Sequence, residues 1–137
     1  MPTEATYLAA AAALERAASD ADDLARSLPS DLPTDVLRGG ALTATVRFAM
    51  GRSTAAVVTV AMATRAAAAL CHWRAEQCRL YAQQVERWQQ ADAAHGRAVR
   101  DWQALAAAHR ASPSIPAPDG PPAPPGDPPV RPYPWIA

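Results

Sequence analysis

From Ala41 to about Arg110 the chain contains no proline, and this limits its fold more than any other feature. Proline inside a helix removes a backbone donor and clashes with the preceding turn, so its absence over some 70 residues leaves one long helix open to the chain. Gly51 and Gly96 are the interior breakers of this stretch, each worth about 1 kcal/mol against alanine. The β-branched cluster Val57, Val58, Thr59 and Val60 is its weakest helical part, because such side chains lose χ1 freedom on a helix. A strand there would have nothing to pair with, and an isolated strand is unstable. The spacing therefore predicts a helical segment over about 41–110.

Upstream, Thr3 is placed to cap a helix with Glu4 in its first turn. Tyr7, Leu14, Ala21 and Leu28 recur every seven residues, and Ala10 or Ala11, Ala17 or Ala18, and Leu24 or Ala25 fill the alternate positions. This predicts a helix over about 4–28 with a seam that lets a neighbour approach closely. Pro29 and Pro33 end it, and residues 29–40 read as an ordered connector anchored by Leu32, Val36 and Leu37, with Gly39-Gly40 at its turn. After Arg110 the composition changes: eleven of the 14 prolines lie between Pro113 and Pro134. Such a tail leans to polyproline II. The expected architecture is all-α: an antiparallel helical hairpin or coiled coil over 1–111 with a long second helix, then a disordered proline-rich tail over 112–137 that contributes little stability.

Composition narrows the function. Hydrophobic residues make up 50% of the chain but aromatics only 6%, so alanine dominates and the helices can pack closely around a narrow core. Formal net charge is zero, all 13 Lys/Arg positions are arginine, and those from Arg74 to Arg110 are interleaved with Glu76, Glu86, Asp92 and Asp101. That is a solvated mixed-charge surface rather than a nucleic-acid footprint. The uncharged run Ser53–Thr64 falls short of the ~20 residues that span a bilayer, so no membrane span is expected. The N-terminal alanine run has early acids and no basic lead, unlike a Sec signal peptide. Cys71 and Cys78 share a helix face about 10 Å apart, too far for a disulfide within the helix. His72, His95 and His109 look too scattered for a ligand set, and no phosphate loop or metal motif is present. The expectation is no enzyme, no metal and no cofactor.

What remains is an aromatic stripe. Trp73, Trp88 and Trp102 lie 15 and 14 residues apart and share a ~60° sector of one helix face. Leu70, Leu80, Tyr81, Val99 and Leu105 fall on or beside it. The first helix reaches only about 38 Å and, folded back, is expected to lie against about 41–67, leaving the stripe beyond its reach. Leu70, Trp73, Tyr81, Trp88, Val99 and Trp102 are thus candidate partner-binding residues for a helical protein or for homo-oligomers. Tyr133, Trp135 and Ile136 make the end of the tail apolar enough to dock.

An alanine-rich helix of some 25 residues, a turn, and a longer Ala/Arg/Trp helix resembles the WXG100 (ESX-type) superfamily of type VII secretion substrates and their polymorphic-toxin relatives. Residues 74–88, from Arg74 through Tyr81 to Trp88, are similar to the second-helix region of small actinobacterial ESX-like proteins, and the tail ending Pro132-Tyr133-Pro134-Trp135 suits that group. The resemblance covers about residues 4–110. Two family motifs are missing: Leu37-Arg38-Gly39-Gly40 stands where a Trp-x-Gly turn belongs, and Val85 stands four residues after Tyr81 where an acidic residue would complete the export signal. The resemblance then implies a partner or targeting chaperone that pairs with an ESX-like protein or a toxin N-terminal domain, made in the cytoplasm and open to a type VII, non-Sec route. A self-associating coiled coil unrelated to secretion is the alternative.

Overall fold

A computed structural model describes residues 2–28 and 40–136. The connector over 29–39, with Leu32, Val36, Leu37 and Gly39, lies outside the described residues, and Gly40 is already helical. Two helices are present, α1 (Glu4–Ser27) and α2 (Gly40–Ala111), with no strand among the described residues. The chain gathers into two compact units, Met1–Glu76 and Gln77–Ala137, and α2 contributes a helical segment to each.

The start of α1 is built as its sequence requires. The Thr3 hydroxyl accepts the Thr6 backbone N–H at 3.3 Å, and the Thr6 hydroxyl accepts the Thr3 N–H at the same distance. Two orphan donors are thereby satisfied reciprocally. At the other end the Leu28 N–H reaches the Leu24 carbonyl, and Arg26 sits in the last turn beside Asp23.

α2 runs without interruption through Gly51, Gly96 and the Val57–Val60 cluster. Its serines and threonines turn inward on the helix itself. Ser53, Thr54, Thr59 and Thr64 each donate a hydroxyl to the carbonyl four residues earlier, at 2.8–3.2 Å. A hydroxyl satisfied in this way presents mostly methyl or methylene to its surroundings. The segment between Arg52 and Arg65 is therefore apolar on every side.

In the first unit α1 lies antiparallel on α2. Asp22 pairs with Arg65, the His72 Nε2–H donates to the Glu15 carboxylate at 2.9 Å, and the Arg74 guanidinium stands over the Tyr7 ring, 5.7 Å from its centre. The seam between the helices is made of alanine. Ala11 and Ala18 on α1 and Ala61, Ala68 and Ala75 on α2 are at most 2% exposed, each one heptad from the next. The residue choices left open by the sequence resolve accordingly: Ala11, Ala18 and the half-buried Ala25 hold the alternate positions, and Leu24 stands outside, 51% exposed.

The register differs from expectation. With Asp22 level with Arg65 and Glu15 level with His72, Ser27 falls level with about residue 60, so α1 pairs with the stretch from there to Arg74 and not with 41–67. The buried alanines Ala11, Ala18, Ala61, Ala68 and Ala75 face one another at this offset, and their small side chains permit the close approach. Replacing Ala68 by leucine should therefore cost about 1–3 kcal/mol through overpacking, while Ala66→Leu on the exposed side should change stability by less than about 0.5 kcal/mol. Urea denaturation of the two variants checks this.

Candidate interaction surfaces

In the second unit the tail is docked. Trp88 donates its indole N–H to the Gly126 carbonyl at 2.8 Å, and Trp102 donates to the Asp119 carbonyl at 2.5 Å. The His109 Nδ1–H meets the carbonyl of Ile115. A turn begins the return path: the Ser112 N–H bonds the Ala108 carbonyl and the Ile115 N–H bonds the Ser112 carbonyl. Ile136 is 1% exposed, and the Tyr133 and Trp135 rings stack at 5.0 Å with their planes 10° apart. The composition of the tail suggested disorder; instead its carbonyls accept side-chain donors from the helix.

The fit follows from two rises. An α-helix advances 1.5 Å per residue and polyproline II about 3.1 Å, so two helical residues cover the length of one tail residue. Trp88 and Trp102 stand about 21 Å apart along the helix; their acceptors, seven tail residues apart, stand about 22 Å apart. The tail also alternates its contacts as this ratio demands. Ile115, Pro118, Pro122, Pro125 and Pro129 are half-buried, at steps of three, four, three and four residues, against a helical heptad worth about 3.4 tail residues.

The face that receives the tail carries a regular pattern. Tyr81, Trp88, His95, Trp102 and His109 recur every seven residues, and all five are half-buried. Each is a ring with a polar handle that can donate a hydrogen bond. Two of the three histidines, His95 and His109, are rungs of this ladder, while His72 pairs with Glu15. The signal of the two rungs was present in the seven-residue step that relates them to Trp88 and Trp102, and a search confined to metal and catalytic spacings passes over it. Val85, Val99 and Ala106 fill the alternate heptad positions, also half-buried.

The expected partner-binding residues thus divide. Tyr81, Trp88, Val99 and Trp102 belong to the tail-bearing face. Leu70 and Trp73, in the first unit, are 49% and 43% exposed. Val58, Val60 and Met62 are likewise 42%, 59% and 65% exposed around the same part of α2. By length and composition α2 also contains a window apolar enough to cross a membrane, with mean hydropathy 1.6 and 11% of it buried.

No group of three His, Cys, Asp or Glu side chains is placed to hold a metal ion among the described residues. Cys71 and Cys78 are free thiols, as their helical separation requires. No family model, curated protein or solved structure matches the chain.

The indole donors make the docking measurable. Trp102→Phe keeps a ring in the groove formed with Leu105, Ile115, Pro116 and Pro118 but removes the N–H. It should cost about 0.5–1.5 kcal/mol, read as a lower denaturation midpoint, while Arg110→Ala on the exposed side should change little. Truncation at Ser112 should lower the midpoint further, since it removes all three carbonyl acceptors and Ile136 together.

Proposed function

We propose that this protein is a non-enzymatic helical interaction protein, and that it serves as a partner or targeting chaperone in a type VII-like secretion system. The observation that carries the reading is the uncovered circumference of α2 in the first unit. A helix apolar on every side is ordinarily enclosed by neighbours. Here α1 covers the side of Ala61, Ala68 and Ala75, and Val58, Val60, Met62, Leu70 and Trp73 remain 42–65% exposed. So much apolar surface on one segment marks an interaction site.

The chemistry of that surface favours a helical occupant. On the flank of the hairpin away from the Asp22–Arg65 and Glu15–His72 pairs, α1 presents Ala10, Ala17, Ala21 and Leu24, and α2 presents Val60, Ala63 and Ala67. Two adjacent helices with small, uncharged side chains form a shallow trough into which further helices pack closely. The hairpin then completes a bundle with a second helical protein, of the ESX-like or toxin N-terminal kind that the sequence resemblance implies. In this reading the chain is made in the cytoplasm and engages its partner there, before any export through a non-Sec route.

The trough residues in this reading are Val60 and Leu70, beside Ala63 and Ala67; Met62 and Trp73 are exposed on the opposite flank of α2. Trp88 and Trp102 serve the tail. Val60→Glu places a charge in the trough and should abolish co-purification with the helical product of a neighbouring gene, whereas Asp23→Ala should leave it unchanged. A wild-type chain that forms a stable homodimer, converted to monomer by Val60→Glu, would instead favour the self-associating alternative. The apolar window of α2 supports one further reading, insertion in a bilayer. Flotation of the purified chain with lipid vesicles would establish that and displace the helical partner.

A further inference from the structure

The ring ladder of the second unit is chemically suited to one class of ligand. A helical partner has its carbonyls bonded within its own backbone, so it offers almost nothing to a row of inward ring donors. A polyproline II segment has no internal hydrogen bonds, and its carbonyls stand free at regular intervals. Trp88, His95, Trp102 and His109 present four such donors at steps of about 10.5 Å, and three of them meet tail carbonyls. The fourth does not. His95 Nδ1 is enclosed with no hydrogen-bond partner among the described residues. By the two-to-one correspondence of rises, Pro122 and Ala123 lie level with it.

We infer that the Tyr81–His109 face of α2 is a polyproline-recognition surface, for which the tail is a ligand held in cis and an extended proline-rich segment of another protein is the ligand taken in trans. Three observations carry this. The donors and their spacing match polyproline II and not a helix. The tail leaves the enclosed His95 rung unmet, so a segment that places a carbonyl opposite it binds the face more completely than the tail does. And the tail lies shallowly: between Ser112 and Trp135 every residue is exposed or half-buried, and the buried anchor is Ile136 at its end. Such a segment can be displaced. Its attachment nonetheless gives it an effective concentration of about millimolar order, so the trans ligand competes with a tethered rival. This inference is independent of the secretion reading, which rests on the first unit.

The test uses the full chain and a fluorescent peptide of residues 113–136 as probe. In one release variant Pro118, Pro121 and Pro122 are replaced by glycine, which raises the entropy of the free tail and weakens its docking. In a second, Ile136→Asp removes the terminal anchor. The indole N–H resonances of Trp88 and Trp102 report tail release in both. The peptide should bind each release variant at least ~10-fold more tightly than wild type, because the tethered competitor is gone. Adding Trp88→Phe and Trp102→Phe to either should reduce that affinity by ~10-fold or more, since both donors are lost. A Gly/Ser peptide of equal length should not bind. No gain in either release variant, or preferential binding of an amphipathic helical peptide, would overturn the proposal.

Discussion

Everything in this fold follows from a helix with more apolar circumference than one neighbour can cover. Proline is absent from α2 for its whole length, and between Arg52 and Arg65 its hydroxyls are folded back on its own carbonyls, so the helix has no place to break and that segment presents little but apolar surface. A second helix meets one stripe of alanines in the first unit. In the second unit an extended segment meets a stripe of polar-edged rings. The residue type along each stripe selects its cover. Alanine admits a helix axis at short range, whereas tryptophan and histidine hold a backbone away and demand acceptors.

That demand explains why the cover in the second unit is proline-rich. An indole N–H that is enclosed without a partner costs about 1–3 kcal/mol. An α-helix laid on the ladder leaves the donors unmet, and a strand would place its own N–H groups where acceptors are needed. Polyproline II supplies carbonyls and, at proline, no competing N–H. Its stiffness also reduces the entropy lost on docking, because proline fixes φ before the segment is bound. The same residues that forbid helix and sheet in the tail make it a suitable ligand for a ring-lined helix.

Much of the fold was legible in the sequence. Thr3 as a cap, the seven-residue recurrence from Tyr7, the uninterrupted second helix through Gly51 and the free thiols of Cys71 and Cys78 all follow from local rules of propensity and spacing. The register of the hairpin was not legible, because Leu14 and Leu28 look like better seam residues than the alanines that are buried there. The site was half legible. Trp88 and Trp102 stood out by size, but His95 and His109 belong to the ladder through a shared period, visible when rings with donors are treated as one class. The docking of the tail depends on a ratio of rises between two kinds of backbone, which no pattern within either segment reveals.

The division of α2 between two kinds of cover bears directly on function. A stripe already met by tethered carbonyls gives a second protein little unless that protein brings the same chemistry, so large aromatic residues alone do not locate a helical partner here. Under the helical-partner proposal the contact falls where apolar groups are exposed and no polar edge dictates the occupant, which describes Val60 and Leu70. Where ring donors line the helix, the occupant must supply free acceptors, which describes Trp88 and Trp102. The helical-partner proposal and the polyproline proposal therefore make different demands on different residues of one helix. A Val60→Glu chain that loses its helical partner yet still binds a proline-rich peptide when its tail is released would establish that the two surfaces act separately.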